Sequence, residues 1–236
     1  MTRRHLLLKT TATSASLAAI LFFGLFTGSR HLHADDSDSQ ESRIQQGFAI
    51  APVPLKLVGK NRALVGLGSY IVNTVGCDDC HNGGPGGASG YLPNGNPYLL
   101  RPPLGPYGGR KVINTATYLG GGRDFGAFPA EPFPHIVSRN LTPDKTGRPE
   151  GGHTFAEFRE IIRTGVDMDQ LHPTCTNGPN GHCIPAPFDG SRLQVMPWPG
   201  FQDMTDHDLE AIYEYLSAVP CVTGPPAPDQ RHNDCQ

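Results

Sequence analysis

Cys77-Asp78-Asp79-Cys80-His81 is the stretch of this chain whose residue types and spacing can do chemistry. Two thiols three positions apart fall on one side of a helical turn. Each can add to a vinyl group of a haem, giving two thioether bonds, and the next residue, His81, then lies under the iron. This C-x-x-C-H spacing is the attachment pattern of a c-type haem, with the histidine as proximal ligand. Two other uses of paired cysteines fit less well. A thioredoxin-like redox pair expects a βαβ setting, which the surrounding sequence lacks. Zinc wants two further ligands at matching spacing, and none accompanies these residues.

A ligand for the far side of the iron has few sources. Beyond the N-terminal block the methionines are Met168, Met196 and Met204, and His172 and His182 are alternatives. A methionine at an arbitrary position is usually core filler. Met196 stands before Pro197 in a loop, Met204 adjoins a helix cap and suits packing, and Met168 lies in an acidic stretch. His135, His153, His207 and His232 are expected to face solvent, with nothing pairing them into a metal site. Trp198, Tyr107 and Tyr118 suit either a haem cover or ordinary packing. Four cysteines remain: Cys175, Cys183, Cys221 and Cys235. An even number in an oxidising compartment implies disulfides. Of the three pairings open to four cysteines, Cys175–Cys183 and Cys221–Cys235 close the shortest loops. A second metal site among them would want a C-x-x-C spacing that they lack.

The elements that must position these groups are legible from caps and periodicity. Asn61 can cap a helix from Arg62 to about Val75, with Leu64, Leu67, Ile71 and Val75 on one face and Gly76 at its end. Thr154-Phe155-Ala156-Glu157 is a capping box. It opens a helix carrying Phe155, Phe158, Ile161 and Ile162, closed by Gly165. Thr205 to Asp208 opens another, with Leu209, Ile212, Tyr213 and Leu216 inward and Pro220 as the stop. Between the first two helices, residues 82–138 hold 13 Gly and 9 Pro in 57 positions, so long helix is excluded there. Short turns, or a hairpin around Gly120-Gly121-Gly122, are what this insertion can form.

The N-terminus reads as an export signal. Arg3, Arg4 and Lys9 precede twenty uncharged residues, 10–29, and Leu32-His33-Ala34 offers a cleavage site before Asp35. The same run is just long enough to span a bilayer as a retained anchor, and Arg3-Arg4 also suits a twin-arginine signal. Either outcome places the rest in the periplasm or on the outer face of the cytoplasmic membrane. The organisation expected is residues 1–34 as signal peptide or anchor, 35–58 as a polar and Pro-containing linker, 59–220 as one domain, and 221–236 as a disulfide-closed tail. The whole chain has a formal charge of −3, which excludes a strongly basic nucleic-acid binder. Loss of residues 1–34 leaves 15 basic against 22 acidic residues, a charge of −7, suited to a partner with a basic docking face.

These motifs, in this order, resemble single-haem class I cytochromes c, close to the cytochrome c domains of bacterial periplasmic dehydrogenases. Gly68-Ser69-Tyr70-Ile71-Val72 resembles the family's first helix, and Asn140-Leu141-Thr142-Pro143-Asp144 its N-L/I-T-P-D segment. Arg163-Thr164-Gly165 resembles the end of its middle helix, Met196-Pro197 its distal-ligand loop, and Asp208 to Leu216 its last helix. The resemblance implies an all-α fold, three or more helices around one covalent haem c held by Cys77, Cys80 and His81, with Met196 opposite. It implies one-electron transfer without catalysis, as a periplasmic carrier or as the cytochrome subunit of a respiratory or dehydrogenase complex. The redox partner would be a dehydrogenase or terminal oxidase, and a membrane is touched only if the N-terminal segment is retained. The competing reading is a c-type haem enzyme such as a peroxidase, which usually carries two haems, whereas this chain has one C-x-x-C-H. A haem-based sensor would need a signalling domain. One departure stands out. The family usually has Pro or a small residue where this chain has Arg139, close to the backbone that accepts a hydrogen bond from the proximal histidine. The acceptor for His81 is therefore left open.

Overall fold

The computed structural model describes residues 38–82, 113–127, 135–170 and 190–236. Arg43 to Gln236 form one compact unit, and the residues up to Ser42 a separate one. Among the described residues the chain is mostly helical, with one small two-stranded sheet where an all-α fold was expected. Helix α1 spans 38–50, α2 Arg62–Val75, α3 Cys77–His81, α4 Pro149–Gly152, α5 Phe155–Thr164 and α6 Asp206–Leu216. Strands β1 (Asp124–Ala127) and β2 (His135–Val137) pair antiparallel inside the Gly/Pro-rich insertion. The turn expected at Gly120-Gly121-Gly122 instead leads into β1, and Gly122 N–H bonds the Ser138 carbonyl at 2.9 Å.

The three anticipated helices form with the caps their sequences carry. The Asn61 side chain accepts from the Ala63 and Leu64 amides, and Thr154 and Glu157 bond reciprocally. Thr205 accepts from the Asp208 amide. Helices α2 and α6 pack against each other and centre the core, which buries Val65, Leu67, Val72, Leu209, Tyr215 and Leu216. Their crossing is close. A Cβ added at Gly68 would lie 1.9 Å from the Ala211 carbonyl oxygen, so only glycine fits there. Beneath the crossing, a buried polar cluster ties the helices to the insertion. The Tyr118 hydroxyl lies 2.7 Å from Asn73 Oδ1 and 2.9 Å from the Tyr215 hydroxyl. Tyr118 thus belongs to the core rather than to a haem cover. Tyr107 lies outside the described residues.

Two expectations are corrected. Residues 35–58 were expected as a linker or frayed tail, but 38–50 are helical. Ile44 and Phe48, four apart, pack on the core, and a Cβ at Gly47 would meet the Gly66 carbonyl oxygen at 1.9 Å. Polar composition concealed a three-residue apolar contact. Downstream, Val53 is buried and the Lys56 amide bonds the Ala218 carbonyl at 2.8 Å, so this stretch is held rather than free. The inward face of α2 is wider than expected: Leu64, Leu67 and Ile71 are buried as anticipated, and its last member, Val75, is not. Val65 and Val72 are fully buried while Val75 is 45% exposed.

The C-terminal segment is a strap. Cys221 and Cys235 are disulfide-bonded, and buried Asn233 donates to Thr142, Pro143 and Val222. Asn140 also reaches the Val222 carbonyl at 2.8 Å. The tail therefore braces the Asn140–Pro143 segment from behind. Cys175–Cys183, the signal segment 1–34, and most of the 82–138 insertion lie outside the described residues. No described helix is long and apolar enough to cross a membrane.

Candidate haem-binding site

Cys77, Cys80, His81 and Met196 all line one cleft of about 320 Å³. Its walls are apolar, with Val72, Leu141, Phe158, Ile161, Leu209 and Ile212 facing in from α2, α5, α6 and the Asn140 segment. The C-x-x-C-H residues form the short helix α3, which starts at Gly76. Gly76 closes α2 in the left-handed conformation, at φ 87°, and so turns the chain from the core onto the cleft.

Cys77 and Cys80 are not bonded to each other. Burial pushes the Cys77 thiol up to about 12 and raises that of Cys80. A redox-active cysteine pair needs the opposite, a thiolate favoured by positive charge or a helix N-terminus.

His81 Nδ1 lies 2.8 Å from the Arg139 carbonyl oxygen. A carbonyl only accepts, so Nδ1 carries the hydrogen and Nε2 keeps its lone pair. Burial also favours the neutral ring. A metal-binding imidazole wants this arrangement, with its other nitrogen donating to a fixed acceptor. Arg139 is the acceptor that sequence reasoning left open. Its backbone is anchored by neighbours, since the Leu141 amide bonds the Leu119 carbonyl and Gly121 bonds the His81 carbonyl, each at 2.8 Å.

The side chain of Arg139 departs further from a plain apolar wall. Its guanidinium is buried, pairs with fully buried Asp167, and reaches Asp169 at 2.8 Å. His153 Nε2 lies 3.5 Å from Asp169. His153 was expected in solvent but its side chain is only 13% exposed. His135 is exposed, as expected, though it is not free: its Nδ1 lies 2.7 Å from Asp124. Glu150 lines the cleft close to this group. Nothing in the sequence marked Glu150 or the ion network, because their meeting depends on how the fold brings residues 139, 150–153 and 167–169 together.

Met196 is half-buried and packs on the core. Its loop is held to the end of α5. The Leu193 amide bonds the Gly165 carbonyl and the Asp167 amide the Ser191 carbonyl, both at 2.7 Å. Arg163 clamps the other side, donating to the Gln202 carbonyl at 2.6 Å and the Met204 carbonyl at 2.9 Å. Met204 lines the cleft as well, whereas Met168 does not. Trp198 rests on Gly165 and bonds the Leu193 carbonyl, outside the cleft lining. His172 and His182 lie outside the described residues. Among the described residues no cluster of three or more His, Cys, Asp or Glu could hold a metal by itself. The donors present fit a metal that arrives inside an apolar group: two thiols, one imidazole with a fixed tautomer, and a soft thioether in an apolar pocket.

No protein-family model and no solved structure matches the chain. Curated relatives do. The alcohol dehydrogenase (quinone) cytochrome c subunit of Gluconacetobacter polyoxogenes is 36% identical over 86 residues, which is 36% of this chain and 14% of that protein. The gluconate 2-dehydrogenase cytochrome c subunit of Pantoea cypripedii is 24% identical over 158 residues, 66% of this chain and 23% of that one. The fructose dehydrogenase cytochrome subunit of Gluconobacter japonicus is 22% identical over 170 residues, 71% and 24% respectively. This chain spans less than a quarter of the length of each. What it is similar to, over that part, is the cytochrome c subunits of dehydrogenases.

Proposed function

We propose that this chain is a one-electron carrier of the class I cytochrome c type, passing electrons from a dehydrogenase outside the cytoplasm. Cys77 and Cys80 would hold one haem c by thioether bonds, and His81 Nε2 and Met196 would bind its iron. The observation that carries this reading is the convergence of all four side chains on one apolar cleft, with His81 Nδ1 already committed to the Arg139 carbonyl. The names of the relatives support electron transfer and a dehydrogenase partner.

When bound, the haem supplies an iron centre that accepts and releases one electron. The chain's own residues do the rest. Arg139 fixes the imidazole plane through its carbonyl, so that His81 Nε2 would be free to bind the iron. Arg163 and the Gly165–Leu193 bond hold the Met196 loop, so its thioether would be kept within reach of a haem in the cleft. Leu141, Phe158 and Ile161 exclude water from the cleft, and a thioether ligand in such a setting favours the reduced state. Val75, exposed and lining the cleft, leaves an apolar edge at its mouth where a partner could approach.

The test is the optical spectrum of protein produced with a haem c maturation system. The expected result is a six-coordinate low-spin haem in both oxidation states. Met196→Ala should keep the haem attached, lose the methionine charge-transfer band and admit cyanide. Wild-type behaviour in that variant would remove Met196 from its role.

A further inference from the structure

We propose that Glu150 takes up one proton with each electron that enters the cleft and returns it when the electron leaves. This rests on the haem reading above and extends it from electron transfer to proton-coupled electron transfer. Glu150 is 6% exposed and is the only buried acid lining the cleft among the described residues. Its carboxyl makes no hydrogen bond among the described residues. Its backbone is left-handed, at φ 51° and ψ 57°, within Pro149-Glu150-Gly151-Gly152. That conformation is costly for a residue with a Cβ and marks positions that the surrounding structure holds deliberately.

The charges facing Glu150 come from three places. Arg139 precedes the Asn140 segment, His153 caps α4, and Asp167 and Asp169 follow α5. Arg139 is already committed to both aspartates. One cation against two anions leaves an excess negative charge, which a protonated His153 beside Asp169 offsets. An ionised Glu150 would add a further negative charge in a dry setting. Burial accordingly favours its neutral acid.

A change of one unit of charge on an iron in the same cleft alters this balance. The oxidised state favours the carboxylate and the reduced state the acid. Upon reduction the dehydrogenase delivers one electron to the iron, and bulk water delivers one proton to a Glu150 carboxylate oxygen. Upon reoxidation both leave. The charge of the cleft is then the same in both states.

The experiment is a spectroelectrochemical titration of the haem-loaded protein across neutral pH, after mass and spectrum have established covalent haem. Absence of the haem would defeat the reading of the site; the outcomes below bear on Glu150 alone. The reduction equilibrium should weaken as pH rises, by up to tenfold per pH unit for one proton per electron. Glu150→Gln should flatten this dependence and hold the potential near the acid-side value of wild type. His153→Gln should leave the step in place, moved in pH. An infrared difference spectrum of wild type, which needs no variant, should gain a protonated-carboxyl band on reduction. A flat wild-type titration would overturn the proposal. So would a pH dependence that survives in Glu150→Gln, which assigns the proton to the haem's own carboxylates, or one abolished by His153→Gln alone.

Discussion

The carbonyl oxygen of Arg139 sits 2.8 Å from Nδ1 of His81, while the guanidinium of the same residue is buried against Asp167. One residue thus joins the imidazole of the C-x-x-C-H motif to the segment that follows α5. That segment in turn holds the loop of Met196 through the Asp167–Ser191 and Gly165–Leu193 bonds. The two faces of the cleft are therefore braced through Arg139.

Arg139→Met keeps the carbonyl and most of the side-chain volume but leaves Asp167 buried without its cation. Breaking a buried ion pair from one side costs roughly 3 kcal/mol or more. Urea unfolding should show a loss of about that size. A variant as stable as wild type would mean that the guanidinium contributes nothing to holding the cleft.

His153 gives the fold a pH dependence of definite sign. The Asp169 carboxylate, 3.5 Å from its Nε2, holds its imidazole above the usual histidine range. A group whose proton is bound more tightly in the folded state stabilises it fully below the unfolded value, near 6.5, and loses that contribution as pH rises through the folded value. Urea midpoints should fall from mildly acidic to mildly alkaline pH, and His153→Gln should flatten that part of the curve. An unchanged slope in the variant would assign the effect elsewhere.

Gly68 is the packing test. Its hydrogen faces the Ala211 carbonyl across the α2–α6 crossing, where a Cβ would lie at 1.9 Å. Gly68→Val must separate the helices, and overpacking of this kind costs about 1–3 kcal/mol. The expected sign is a lowered thermal midpoint with the haem spectrum retained. A neutral effect would mean that the crossing is looser than described.

Docking to a partner with a basic face predicts a salt dependence. With residues 1–34 removed the chain carries −7. Opposite-sign steering is screened within about 8 Å at physiological ionic strength. Stopped-flow reduction by the partner dehydrogenase should slow as salt rises. A rate indifferent to salt would favour a permanently docked subunit.

Much of this was legible locally. The helices α2, α5 and α6 announced themselves through Asn61, Thr154 and Thr205 as caps, because capping is decided within four residues. The cysteine–histidine motif is equally local. Helix α1 was hidden, since its anchoring residues Ile44, Gly47 and Phe48 make sense only against α2. The inward role of Tyr118 and the place of His153 depend on contacts with other segments of the chain. Glu150 and Arg139 belong to the same class: each matters because of what the fold places beside it, which no cap or periodicity marks.

The central claim is that Cys77, Cys80 and His81 hold one haem covalently. Its most direct measurement is the mass of the denatured protein, matured with a haem c assembly system and extracted with acidic acetone. The account predicts the polypeptide plus one haem, with the red colour retained by the protein and lost only when both cysteines are replaced by serine. Haem that passes into the acetone and leaves the bare polypeptide mass would contradict it.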